Sequence, residues 1–164
     1  MCGSCLCEGW LWLMDRVSDV SVDVEVVKDV TDEVLKAFGR LLPQLSRSAQ
    51  PLDAEALRTL VAWPGNRLLV ARVVGDIVGA LTLVMFPIPT GWRAWIEDVV
   101  VDETARGKGV GAALTQEAVR LARADGARTV DLTSRPSREA ANRLYERLGF
   151  QLRDSKVYRL AADL

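Results

Sequence analysis

Histidine is absent from all 164 residues. Its absence removes the commonest general base near neutral pH and the commonest metal ligand, so acid–base chemistry falls to Asp, Glu, Tyr, Lys or Cys. Net charge is nearly absent too. With 21 Lys plus Arg against 22 Asp plus Glu, no overall field recruits nucleic acid or an anionic membrane, and any anion site must be local. The cysteines, Cys2, Cys5 and Cys7, are confined to the first seven residues. No fourth Cys or His completes a zinc site there, and no thiol elsewhere offers a disulfide partner, so no metal is expected. Long apolar runs are missing as well: Trp10 to Met14 is too short to span a bilayer, and no Lys or Arg precedes it to make a secretory n-region. The expected setting is the cytoplasm, without a membrane partner. Residues 1–20 read as an N-terminal extension without chemistry, flexible or non-native, with Met14 as an alternative start. Residues 21–164 read as one domain, and a homodimer is compatible with everything above.

What is present suits an α/β unit. A chain that is 49% hydrophobic and 26% charged can bury one sizeable core and no second one. Val22 to Val30 alternates apolar and polar residues like a half-buried strand, and Thr31 with Glu33 starts a helix to about Leu42, where Pro43 is expected to stop it. Asp53 to Ala62 reads as a second helix. Leu68 to Val74 and Ile77 to Phe86 form a hairpin about Gly75-Asp76, and Trp92 to Val101 has the length of a central strand. A helix follows from Val110 to Ala124, with Val110, Ala113, Leu114, Ala118 and Leu121 on one face and Gly126 ending it. A short strand (Thr129 to Thr133), a helix capped by Ser137 and running through Leu148, and a last strand from Gln151 to Leu160 complete the pattern. The order β-α-α-β-β-β-α-β-α-β predicts a mixed central sheet of about six to seven strands flanked by four helices, its strand–helix–strand crossover parallel and right-handed.

The turn Arg106-Gly107-Lys108-Gly109-Val110-Gly111 is the most specific local feature. Three glycines let backbone amides approach a ligand, and the helix that begins there presents unsatisfied N–H groups and a positive dipole end to a phosphate, with Arg106 and Lys108 at the rim. The same residues also suit a plain strand-to-helix turn. Gly107 to Ala112 satisfies the dinucleotide pattern G-x-G-x-x-G/A, but that fold needs its tight turn directly after the first strand and several further parallel units, which are lacking here. A P-loop needs Ser or Thr after its lysine, and Lys108 is followed by Gly109.

With Ile96 to Val101 upstream and Asn142 to Phe150 downstream, this turn resembles the signature of the GNAT family of N-acetyltransferases: Arg or Gln, two residues, Gly, one residue, then Gly or Ala. The order of elements is the family's also, and the resemblance leaves out only the first twenty or so residues. It implies transfer of an acetyl group from acetyl-CoA to an amine acceptor. It also implies coenzyme contacts from Val99, Val100, Val101, Arg106, Gly107, Lys108, Gly109, Val110, Gly111, Ala112, Asn142 and Tyr145. Pantetheine would lie along the strand of Val99 and Val101, which splays from the next strand, and the Val99 N–H would face the developing oxyanion, an interaction of ~3 kcal/mol.

Two side chains are expected to carry proton transfer. Glu97 and Asp98 are the acids of the central strand, and period-two alternation sends them to opposite faces unless a bulge intervenes. A partly desolvated Glu97 fits the base that accepts a proton from the incoming ammonium, and some family members use that glutamate; a solvated or Arg-paired acid fits the position too. Tyr145, with Ala141, Leu144 and Leu148, would make an ordinary core stripe. The resemblance instead assigns it to protonate the departing thiolate, uphill by ~2 kcal/mol from the reference values of Tyr and a thiol. Asn142 is expected to bond pantetheine or cap a strand carbonyl. Trp63, Trp92 and Trp95 fit core or edge cover as readily as an apolar acceptor pocket. A domain that binds acyl-CoA without turnover is the alternative function, although such a module need keep only the glycines. The amine itself stays open among small amines, amino acids, antibiotics and protein N-termini.

Overall fold

The computed structural model describes residues 21–160 apart from Arg47. The cysteines, Trp10 to Met14 and the expectation of an N-terminal extension lie outside the described residues. Strand β1 (Val22–Val26) is followed by helices α1 (Asp32–Leu45) and α2 (Ala54–Ala62), strands β2 (Asn66–Val73), β3 (Asp76–Ile88) and β4 (Gly91–Val101), helix α3 (Val110–Ala124), strand β5 (Thr129–Leu132) and helix α4 (Glu139–Arg147). Among the described residues the sheet has five strands in sequence order, antiparallel from β1 to β4 and parallel between β4 and β5.

Caps explain where the first two helices begin. Thr31 accepts from the Val34 N–H and Asp53 from the Ala56 N–H, with acids in each first turn. Pro43 does not stop α1 as expected; it lies inside the last turn, and the helix ends two residues later with Ser46 bonded back to Leu42. The ring forgoes the N–H bond to the Gly39 carbonyl and crowds it, a local cost that α1 tolerates in its last turn.

Two apolar clusters sandwich the sheet. On one face Leu69, Leu81, Leu83, Ala94 and Ile96 meet Val110, Leu114, Ala118 and Ala122 of α3. On the other, Leu68, Val70, Ile77, Ala80 and Val100 meet Val34, Phe38 and Leu41 of α1 and Leu57 of α2. Gly79 makes the α3 contact possible: a Cβ there would sit 2.8 Å from Val110 Cγ1 and 3.1 Å from Leu114 Cδ1.

The sheet falls short of the six to seven strands expected, because Gln151 to Leu160 is not a strand. Leu152, Val157, Tyr158 and Leu160 are 70–102% exposed. Val157 and Tyr158 are adjacent and charges interrupt the rest, so the segment has no single apolar face to bury, and a strand needs a partner edge as well as a favourable composition. Ser137 likewise does not cap α4; Arg138 occupies the cap position without a side-chain bond.

Candidate active site

A bulge in β4 sets the geometry. Thr82 of β3 pairs with Glu97 and Ala80 with Val100, so Asp98 and Val99 together stand opposite Leu81. Asp98 takes up the extra residue at φ 51°, in the left-handed region that Asp tolerates better than most side chains. The bulge reverses the alternation. Before it Ala94 and Ile96 face α3, which sends Arg93, Trp95 and Glu97 to the face of α1 and α2; after it Val99 and Val101 pack toward α3 and Val100 toward α1. Here the condition attached to the two acids is met: a bulge does intervene.

Strand β5 pairs with β4 through Arg93 to Ile96 only and ends at Leu132, while β4 runs on to Val101. From Glu97 onward the β4 edge has no neighbouring strand on that side among the described residues. The gap begins at the bulge, where the ladder is already disrupted.

The glycine turn follows. A short 3-10 turn, Glu103–Ala105, leads to Arg106, Gly107 at φ 78° and Gly109 at φ 80°, the last being the N-cap of α3. A Cβ on Gly107 or Gly109 would meet nothing within 4 Å, so their backbone is approachable from outside, and left-handed φ is what calls for glycine. In contrast to α1 and α2, α3 has no side-chain cap and no acid in its first turn. Its leading N–H groups therefore lack an internal partner and suit an external anion. Arg106 and Lys108 are exposed beside them, paired with no carboxylate among the described residues. Gly111 plays a different part. A Cβ there would lie 3.2 Å from Leu144 Cδ2 and 3.8 Å from Val101 Cγ2, so it lets α4 pack against the start of α3 and the end of β4. Val110 is buried and Ala112 half-buried in that first turn.

On α4, Tyr145 packs edge-on against Phe150, centroids 5.9 Å apart. Burial pushes its phenol pKa up, partly opposed by the nearby Arg138 charge. The Asn142 amide nitrogen donates to the carbonyls of Arg135 (3.1 Å) and Pro136 (3.4 Å), so that group is engaged by the loop ahead of α4. Glu97 and Tyr145 share no hydrogen bond. Glu97 is exposed, and the chain by itself does not supply the partial desolvation expected of it. Its Oε1 accepts from the indole N–H of half-buried Trp95 at 2.8 Å. Residues i and i+2 of a strand share a face, so that pairing was legible in the spacing. Trp63 and Trp92, 63% and 48% exposed, are not core. Two shallow concavities, around Arg72 between β1 and α1 and between β1 and α3, include none of these residues.

Asp102, 6% exposed, follows β4 directly. The hydroxyl and backbone N–H of Thr104, then Gln44 and Arg40, hold its carboxyl below the usual range. Nothing in the sequence pattern singled it out.

An open β4 edge at a bulge, an uncapped helix N-terminus behind two left-handed glycines, and an acid bonded to an indole thus follow one another along a single stretch of chain, Trp95 to Val110. Residues 32–150 match the model of the acetyltransferase (GNAT) family. This chain belongs to that family; it is an N-acetyltransferase, a class that uses acetyl-CoA, as the resemblance of its motifs implied. It is 33% identical over 144 residues to a glucosamine 6-phosphate N-acetyltransferase of Trypanosoma brucei brucei, covering 83% of this chain and 95% of that one. Among solved structures it is similar to an acetyltransferase of Trypanosoma brucei (29% identity, TM-score 0.70, 87% and 100% covered). It is also similar to a transcriptional regulator of Bacillus halodurans C-125 (28%, TM-score 0.72, 87% and 100% covered). Among the described residues no helix is long and apolar enough to cross a membrane.

Proposed function

We propose that this chain moves an acetyl group from acetyl-CoA to a primary amine by direct attack, with Glu97 as base and Tyr145 as acid. The observation that carries the reading is the conjunction at β4: its edge opens at the bulge, and the strand then leads through Val101 and the Arg106–Gly111 turn into a helix start with no cap of its own. The N–H groups of Val110, Gly111 and Ala112 and the cations Arg106 and Lys108 would hold pyrophosphate. The main chain of Val99 to Val101, lacking a β5 neighbour, would pair with the amides of pantetheine, and the Val99 N–H would stabilise charge developing on the thioester oxygen. Glu97 lies at the mouth of the gap. An amine seated against Trp95 would desolvate its carboxylate and yield its proton, directly or through water, before attack. Tyr145, its phenol kept protonated by burial, then gives a proton to the departing thiolate. The apolar surroundings that weaken the phenol as an acid raise a thiol as well, so the uphill step of ~2 kcal/mol is not much enlarged. No acyl-enzyme is required.

The acceptor would meet the face that carries Trp95 and Glu97. A flat aromatic beside a carboxylate suits a ring-bearing amine, and the relative named for glucosamine 6-phosphate puts amino sugars first in a panel. Steady-state thiol release with such a panel tests the reading. Glu97→Gln and Tyr145→Phe are each expected to lower kcat by ~10²-fold or more. Because the Tyr145 pKa is raised from its usual value, the proton is present throughout the neutral range, and loss of activity from this group should begin only above pH ~10 and be missing in Tyr145→Phe. Unchanged turnover in both variants at every pH would refute the assigned roles. Coenzyme A binding without thiol release from any amine would favour the domain that binds without turnover.

A further inference from the structure

Asp102 and Thr115 are the buried polar side chains among the described residues. Thr115 bonds within its own helix, to the Gly111 carbonyl. Asp102 reaches further. Its Oδ1 accepts from the Thr104 N–H at 3.0 Å and the Thr104 hydroxyl at 2.7 Å, and its Oδ2 faces Gln44 Nε2 at 3.4 Å and Arg40 Nε at 3.5 Å. Gln44 acts at two points, since its Oε1 also accepts from the Glu103 N–H at 3.0 Å. Arg40 donates to the Ile77 carbonyl at 2.8 Å, and the Asp102 N–H donates to the Val78 carbonyl at 2.8 Å. The Asp102 carboxylate thus joins α1 to the turn that opens the glycine segment, while its backbone N–H and its partner Arg40 tie the cluster to β3.

A contact meant only to fill space could be apolar at no desolvation cost. This one is directional. The Arg40 side chain is 53% exposed, so its ion pair with Asp102 is screened and contributes little by itself; the hydrogen bonds that the carboxylate accepts from the uncharged donors of Thr104 and Gln44 fix the geometry. They act on the short turn whose carbonyls take the next backbone bonds, Arg106 N–H to Glu103 and Lys108 N–H to Ala105. The two cations and two left-handed glycines of the anion-facing turn are therefore positioned from residues 102–105, and those from α1.

We propose that Asp102 and Gln44 are positioning residues for the acetyl-CoA turn, which they anchor to α1; the inference rests on the reading of Arg106 to Gly111 as the coenzyme-binding turn. They touch neither donor nor acceptor and act through Glu103 and Thr104. Asp102→Asn keeps the shape and one oxygen for Thr104 but presents the wrong group to Gln44 and Arg40, while Gln44→Met removes the Gln44 bonds to Asp102, to Glu103 and to the Arg40 carbonyl at the half-buried end of α1. Each is expected to raise the KM for acetyl-CoA, and the Kd for coenzyme A by calorimetry, by about tenfold. The kcat at saturating donor and the KM for the amine should stay within about twofold, and the double variant should be no weaker than the worse single one. A lowered melting temperature with an unchanged donor KM would mean the cluster only holds the fold, and would overturn the inference. Arg106→Ala with Lys108→Ala separates the two levels. If that pair leaves coenzyme A affinity intact, the turn reading fails and the inference with it. If the pair weakens binding while Asp102→Asn and Gln44→Met do not, only the inference fails.

Discussion

Two glycine-to-alanine substitutions, alike in chemistry, are expected to act in opposite directions. Gly39 lies inside α1 with nothing within 4 Å of the Cβ it lacks. Alanine there restricts the unfolded chain and favours the helix, so Gly39→Ala should stabilise by about 0.5–1 kcal/mol. Gly79 has the same entropic gain available. Its Cβ, however, would stand 2.8 Å from Val110 Cγ1, 3.1 Å from Leu114 Cδ1 and 3.2 Å from the Val100 carbonyl oxygen. Val110 and Leu114 are buried, at 1% and 0% exposed, and cannot swing aside. Overpacking of this kind costs about 1–3 kcal/mol, and an entropic gain of about 0.5 kcal/mol, the low end for a strand position, leaves a net loss of about 0.5–2.5 kcal/mol. For a domain of this size each kcal/mol moves Tm by about 2–4 °C. Thermal unfolding followed by circular dichroism should therefore place Gly79→Ala about 1–10 °C below the parent and Gly39→Ala above it. Since Val110 opens the helix proposed to face phosphate, Gly79→Ala should also weaken coenzyme A binding, which Gly39→Ala should leave alone. A Gly79→Ala protein as stable as the parent would show that α3 does not press on β3 as described.

The β2–β3 hairpin turns at Val74 and Gly75, with φ 52° and 90°, and Val74 is 92% exposed. A β-branched residue is poorly suited to that conformation and Asn-Gly is the favoured pair, so Val74→Asn should stabilise by about 1 kcal/mol in urea unfolding; a loss would argue against the turn geometry. At the bulge, Asp98→Gly should keep near-parental turnover because only the left-handed backbone is needed there. Asp98→Val should lose about 1–2 kcal/mol of stability together with activity. If Asp98→Gly alone abolished turnover with normal coenzyme A binding, the carboxylate and not the bulge would be the functional element.

Much of the architecture was legible in the chain because its cues are local. Thr31 and Asp53 cap helices as their side chains predict, the spacing of Val110, Leu114 and Ala118 gives α3 its buried face, and the central strand begins and ends within a residue of its apolar run. Pro43 and Ser137 misled, since a breaker inside a last turn and a cap without a helix start above it look the same in sequence as functional ones. Gln151 to Leu160 misled for a different reason: β composition expresses a capacity to pair, and no sheet edge receives it.

The sequence by itself determined the order of elements as far as α4, the glycine turn with its two cations and the family those motifs belong to. All of these depend on residue type and on neighbours a few positions away. Tertiary structure decided which faces and edges the residues present. Only the pairing of β3 with β4 reveals the bulge that puts Asp98 in the left-handed region and turns Val99 toward α3. The early end of β5 is what leaves the β4 edge open, and the fold alone brings Gln44 and Arg40 to Asp102 across about sixty residues of chain. Register, divergence of strands and long-range polar contacts arise from packing between distant segments, and no window along the chain contains both partners.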